Sequence, residues 1–348
     1  MNNAIVFFDE QTKQLRIWQG VFIALLIVLS ITSLGFGPAG WDWKLAFAWM
    51  VPDSFSQFNE LQFNVVTQIR LPRFCLALLV GMTLAQTGAA TQALCRNPLA
   101  DPSIIGVSSG AAVMAVAVIS LGPKFGLNTE VILPYAAFAG ALTVTYLVYR
   151  LSKSGRDIQI TTLLLAGVAI NALSFALIGL MSFYADDSSL RLINYWTMGS
   201  LGGANWNSLL QSLPLLIIAI TGLHLHKKQL NILLLGESEA RYLGVNTTLL
   251  KRKIVVFTAI GVGAAVALTG MIGFVGLVVP HIARLLVGPN INRMMPLCML
   301  IGCLVLLFSD WLARILVIPA ELPIGIITAI LGAPLFVYLL IQQREKHD

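Results

Sequence analysis

Apolar residues recur in long blocks along almost the whole chain, separated by short polar segments. Ten blocks stand out: residues 17–36, 63–94, 104–121, 131–149, 161–184, 207–226, 254–271, 274–287, 296–318 and 323–341. A helix needs about 20 residues to cross ~30 Å of hydrocarbon. The pattern therefore predicts an all-α polytopic membrane protein with ten transmembrane helices. The second block exceeds what a bilayer requires, which implies tilt or projection from one face. The seventh and eighth nearly fuse in "LTGMIGFVGLVVPHIARLL". Gly270, Gly273, Gly276 and Pro280 there suggest helices broken at membrane depth, which needs a protein-lined environment.

Composition supports this picture. Of 348 residues, 57% are apolar and 11% charged, against roughly a quarter charged in soluble proteins. Mean hydropathy is +0.83. Residues 1–348 read as a single membrane domain, with no room for a separate soluble one. The first block follows Lys13 and Arg16, as a signal peptide would. It is long for a signal sequence and no clear A-x-A site follows it, so it is expected to remain as the first helix.

The net charge of +6 matters through its placement. An even span count puts both termini on one side. Placing them in the cytoplasm puts sixteen of the twenty-two basic residues inside, as the positive-inside rule requires. The other six are Lys44, Arg70, Arg73, Lys124, Arg191 and Arg314. Arg70 and Arg73 head the second span at its outer end, and Arg314 closes the ninth at its outer end. They either snorkel into lipid headgroups or meet acidic groups. Asp310, one turn before Arg314, is its natural partner and the main intramembrane acid.

Little else suggests chemistry. Cys75, Cys95, Cys298 and Cys303 form no CxxC pair and read as small apolar residues. The four histidines lack metal-ligand spacing, and no GxxxxGK[ST] loop is present to bind a nucleotide. Neither a metal site nor catalysis is expected. Sparse acids at depth also argue against an ion-coupled secondary transporter.

Four segments carry more information. In "RNPLADPSIIGVSSGA", Pro98 stops the second span and Asp101 caps a new start with Pro102 at its first position. A tight turn explains it, as does a constriction formed by Asn97 and Leu99. "LLLGESEARYLGVNTTLLKRK" predicts a short helix with acidic first turn and Arg241 later, stopped at Gly244. Its Ala240, Tyr242 and Leu243 want a partner or lie against the chain's own membrane domain. The fifth span scatters Thr161, Thr162, Asn171, Ser174 and Ser182, suited to helix contacts or to a solute path. The last, "ELPIGIITAILGAP", is interrupted by Gly and Pro like a transport helix. "GMTLAQTGAATQAL" with "NPLADPSIIG" faintly echoes "GAAVALTGMIGFVGLVVP". Halves inverted in the membrane would give that echo, as would chance.

In order and spacing, "RLPR", "RNPLADPSIIGVSSGA", "TTLLLAGVAIN", "LLLGESEARYLGV", "GFVGLVVPHIAR" and "ELPIGIITAILGAPLF" resemble the permeases of bacterial iron–siderophore, haem and cobalamin importers. These are type II ATP-binding cassette (ABC) importers similar to the vitamin B12 permease. The resemblance runs from about residue 60 to the C-terminus. It implies a homodimer of ten-helix, inverted-repeat subunits in the bacterial inner membrane, with two cytoplasmic ATPase subunits and a periplasmic binding protein. ATP and Mg would then belong to the ATPase, and this chain would hold no cofactor.

The resemblance also implies residue roles. Arg70, Arg73 and Arg314 match sites that receive acidic residues of the binding protein. Gly236, Glu237, Ala240, Arg241 and Gly244, within coupling helices at about 233–250, match the ATPase contact. Asn97 and Leu99, with Thr161, match the cytoplasmic gate. The fifth and tenth helices would line a central path through Asn171, Ser174, Ile178, Thr328 and Gly332, with Arg191 at its outer mouth. "YADDSSLRLINYWTMGSLGGANW" looks most like haem permeases, so haem is the expected substrate, with a ferric siderophore or cobalamin the alternative. His281 lies in "VVPH", shared whatever the substrate, and is not expected to ligate haem iron.

Overall fold

The computed structural model describes residues 2–37, 40–41, 60–155 and 157–345. Lys44 and the rest of the "GWDWKLAFAW" stretch from residue 42, for which an interfacial helix or an ordinary loop is expected, lie outside the described residues. The helices are α1 (Asn2–Gly35), α2 (Glu60–Asn64), α3 (Leu71–Cys95), α4 (Val107–Leu121), α5 (Thr129–Leu151), α6 (Ile160–Phe183) and α7 (Asp187–Met198). They continue as α8 (Trp206–Leu225), α9 (Lys227–Leu233), α10 (Glu237–Tyr242), α11 (Thr247–Thr269), α12 (Val275–Val287), α13 (Ile291–Ile315) and α14 (Ile324–Glu345). Among the described residues, eight helical segments are long and apolar enough to span a membrane. Two shorter apolar ones, Val275–Val287 and Ile324–Tyr338, complete the correspondence with the ten sequence blocks.

α3 is the central post, buried along most of its length and packed by α8, α11, α12 and α13. Lipid tails are as apolar as side chains, so close backbone approach, rather than burial from water, holds such helices together. Small residues provide it here. A Cβ at Gly88 would lie 1.9 Å from the Gly276 carbonyl oxygen, and one at Gly81 2.3 Å from that of Gly302. α12 and α13 thus touch α3 backbone to backbone.

The expected break between the seventh and eighth spans is real. α11 ends at Thr269, and α12 begins after Phe274, a non-glycine residue at φ 69°. Protein surrounds the interruption: Pro102 packs near Gly276, and the Trp196 carbonyl lies against Gly270. The Asp101 turn also forms as expected at its start, since the carboxylate accepts the Ser103 amide at 2.8 Å. The chain then makes a single 3-10 turn, Pro102–Ile105, and turns again at Gly106 (φ 84°) before α4. The third span therefore starts a few residues later than its apolar block.

α6 contrasts with α3. It rests on α4 and α5 but leaves an apolar face open, with Leu165 67% and Phe183 80% exposed. Cys298 and Cys303 are buried and Cys75 and Cys95 half-buried, all as free thiols.

Candidate functional site

Arg70 closes a π-helical turn, Val65–Arg70, that leads into α3. Pro72 has no amide to donate, which leaves the Thr67 carbonyl without a helical partner, and the Trp206 indole donates to it at 2.8 Å. This widened turn aims Arg70 at the end of α1, where Nη1 donates to the Leu34 carbonyl at 2.6 Å. Arg314 does the same from α13, donating to the Ser33 carbonyl at 3.2 Å and to Ser33 Oγ at 2.7 Å. The last carbonyls of a helix lack partners and carry the negative end of its dipole. Two guanidinium groups cap α1 there.

Arg73 faces α13. Its Nε donates to Asp310 Oδ1 at 2.8 Å and its Nη1 to Glu321 Oε2 at 2.8 Å. The expected Asp310–Arg314 pair is present, with Arg314 Nε 3.3 Å from Oδ2. Three cations and two carboxylates therefore share one cluster at this end of the bundle. Arg70, Arg73 and Arg314 are each 7% exposed or less, and Asp310 1%. They do not snorkel: all three turn inward onto partners within the chain. Glu321, about a third exposed, is the member nearest solvent. Sequence reasoning missed it because an acid in a loop before Pro323 looks like ordinary surface.

The far end of the bundle carries the segment expected to meet an ATPase. α10 forms as expected, with Gly236 (φ 129°) before it and Gly244 (φ 83°) after it. Ala240 is buried beneath it, whereas Leu235, Tyr242 and Leu243 are 66%, 91% and 61% exposed. Below α10 lies a ring of charges. Lys251 Nζ sits 2.7 Å from Glu237 Oε2 and 3.3 Å from Asp157 Oδ1. Arg241 Nη2 lies 2.7 Å from Asp157 Oδ2 and 3.7 Å from Glu237 Oε2. Glu237 and Arg241 were expected here; Asp157 and the 2%-exposed Lys251 were not.

Partial burial opposes ionisation of Asp157, but the Ile158 amide and the Lys251 ammonium outweigh it and hold the carboxyl below its usual range. A carboxyl depressed in the folded state stabilises above its unfolded value of about 3.9 and loses that contribution as pH falls through the folded value. Acidification from about pH 5 towards about pH 3 is therefore expected to lower the hydrogen-exchange protection factors, taken relative to the intrinsic rate at each pH, at residues 153–160. Asp157→Asn should remove that pH dependence.

Asn97 and Leu99 are exposed on the turn after α3, where Asn97 Oδ1 accepts the Leu99 amide at 2.9 Å. Thr161 is exposed in the first turn of α6. Of the residues expected along a path, those on α6 have neighbours within the chain. Asn171 Oδ1 accepts from Ser109 Oγ at 2.6 Å and its Nδ2 donates to the Ser103 carbonyl at 3.3 Å. Ser174 is buried, and Ile178 packs against Val116, Ile119 and Ile193. These three share the α6 face that meets α4, because hydrogen-bonding side chains at membrane depth seek partners within the protein. Thr328 and Gly332 are likewise buried, Gly332 against Phe274. Arg191 is exposed on α7. His281 is buried on α12.

The model of the FecCD transport family matches residues 25–342. The chain is 40% identical over 340 residues to the hemin transport system permease protein HmuU of Yersinia pestis, covering 96% of this chain and 98% of that one. It is 38% identical over 346 residues to the vitamin B12 import system permease protein BtuC of Citrobacter koseri, covering 99% and 100%. Its fold is similar to an inward-facing structure assigned to the metal-chelate type of ABC transporter. That match has a TM-score of 0.80 at 34% identity and covers 94% of this chain and 99% of that one.

Proposed function

We infer the function from one premise: the chain belongs to the FecCD transport family, whose model spans residues 25–342. It is a multi-pass membrane permease of an ABC importer. Within that class we assign haem as its substrate, carried inward across the bacterial inner membrane. The observation that carries the assignment is the end-to-end match to the hemin permease HmuU. "YADDSSLRLINYWTMGSLGGANW", which forms α7 and the turn after it, supports it. Cobalamin is the second reading, favoured by the equally complete match to BtuC.

The working unit is a homodimer with two ATPase subunits and a periplasmic binding protein, and hydrolysis takes place on the ATPase. The exposed apolar face of α6 suits contact with a second copy. The α10 segment, with Leu235, Tyr242 and Leu243 exposed, suits the ATPase contact through Gly236, Glu237, Ala240, Arg241 and Gly244. The basic residues crowd that end, which makes it cytoplasmic together with both termini. Asn97, Leu99 and Thr161, exposed there, form the gate.

Docking of the binding protein at the arginine end works by exchange. The three arginines are occupied, so an incoming carboxylate must replace one already present, and Glu321, about a third exposed, is the one able to leave Arg73. Arginine's planar fork suits such a swap.

The test is ATPase activity of the permease–ATPase complex in lipid, with binding protein loaded with haem, cobalamin or a ferric siderophore. Stimulation by the haem-loaded protein alone is expected; stimulation by another ligand in its place sinks haem and keeps the importer. In the same assay Glu321→Gln should lower the binding-protein concentration needed for half-maximal stimulation. An unchanged or higher concentration would rule out exchange.

A further inference from the structure

The charge ring beneath α10 joins three elements that sequence order keeps apart. Lys251 belongs to α11, Glu237 and Arg241 to α10, and Asp157 to a short strand, Asp157–Ile158, that ends two residues before α6 begins. An ammonium has three protons to donate, and Lys251 spends them on Glu237, Asp157 and the Ile158 carbonyl at 2.9 Å. Removing one partner from a buried charge is costly, so the three elements hold together at this point. Arg241 and Thr248 tighten the same joint, donating to Asp157 at 2.7 Å and 3.2 Å.

Directly above this stiff joint stands α6. Within its own chain it packs on α4 and α5 and leaves the rest of its length to the second copy, whereas α3 and α11 are largely buried within the bundle. A displacement of α10 can pass into α11, which α3, α5 and α8 grip, or into α6 through Asp157. The second route is the direct one, because Asp157 stands only three residues before α6 begins.

We propose that Asp157 and Lys251 are the positioning residues that carry movement of α10 to the foot of α6, where Thr161 stands. This deepens the importer reading and rests on it: α10 is the helix on which the ATPase would act, and Thr161 belongs to the gate. Asp157 and Lys251 touch neither ATP nor substrate; they fix how far α6 follows α10. Asp157 also faces Arg241, and the ring has equal positive and negative charge, so it can move as a unit without exposing a net charge.

The experiment uses the full complex of permease, ATPase and haem-loaded binding protein in lipid. A nitroxide is placed at Thr161→Cys after Cys75 and Cys95 are replaced by alanine. Electron–electron resonance between copies reads the label's displacement on ATP addition, and vesicle assays read haem transported per ATP hydrolysed. In the otherwise unaltered complex ATP should shift the label distance. With Asp157→Asn the shift should vanish and transport per ATP should fall by about tenfold, the scale of a typical intersite coupling. Asp157→Glu should restore part of both. Should Asp157→Asn fail to assemble, Thr248→Val, which removes a single hydrogen bond to Asp157, should reduce the shift in graded fashion. A label that still moves in Asp157→Asn, with transport per ATP within about twofold of the parent, overturns the proposal. A parent complex that hydrolyses no ATP with any loaded binding protein overturns the importer reading instead, and this link falls with it.

Discussion

Arg73→Met should cost on the order of 3–5 kcal/mol of stability, the range found when one partner of a buried pair is removed. Asp310 is 1% exposed, and its carboxylate is held by Arg73 at 2.8 Å and Arg314 at 3.3 Å. With Arg73 gone, Arg314 must serve Asp310 while it remains bound to Ser33, and Glu321 loses its only ion-pair partner among the described residues. The measurement is the thermal unfolding midpoint of the purified permease, with the double variant Arg73→Met/Asp310→Asn as the check. Removing both charges should recover much of the loss, because an unpaired buried charge costs more than a missing pair. A double variant less stable than the single would show that Asp310 is needed by Arg314 rather than by Arg73.

Gly88→Ala is expected to cost at least the ~1–3 kcal/mol of ordinary overpacking. The added methyl would sit 1.9 Å from the Gly276 carbonyl oxygen, and the obstacle is backbone, which cannot swing away as a flexible side chain can. α3 and α12 must separate, and α12 is one of the two short apolar helices, with few turns over which to recover the contact. Gly20→Ala supplies the control, since nothing lies within 4 Å of a Cβ there; its effect should stay within about 0.5 kcal/mol. Unfolding midpoints of both variants decide the matter, and similar values would mean that the helices can part without penalty.

The ten spans were legible because a bilayer imposes a length on every crossing helix, and a run of apolar residues reports length directly. The break near Gly270 was legible for a related reason: glycine and proline clustered there remove both side-chain packing and amide donors. Side-chain partners were harder to read. Glu321 pairs with an arginine 248 positions earlier, a distance over which one sequence has no pattern to offer. Lys251 sits in "KRK", where three cations look alike to any rule that counts charge. Yet Lys251 is buried while Arg252 and Lys253 are exposed, because helical rotation turns one toward Asp157 and the others away. Asn171, Ser174 and Ile178 have spacing that assigns them to one face. That spacing says nothing about what the face meets; the bonds of Asn171 to Ser109 and Ser103 place it against α4 and the turn before it.

The cap on α1 has a consequence for the order in which the protein is made. A growing chain emerges N-terminus first, so α1 reaches the bilayer before the other spans described above. The groups that finish its end come later: Arg70 stands 36 positions beyond Leu34, and Arg314 stands 281 beyond Ser33. Between those moments the last carbonyls of α1 have one guanidinium where the mature fold supplies two. α1 is thus completed only once the ninth crossing is in place, and its fit reports that the spans from α3 to α13 have been threaded.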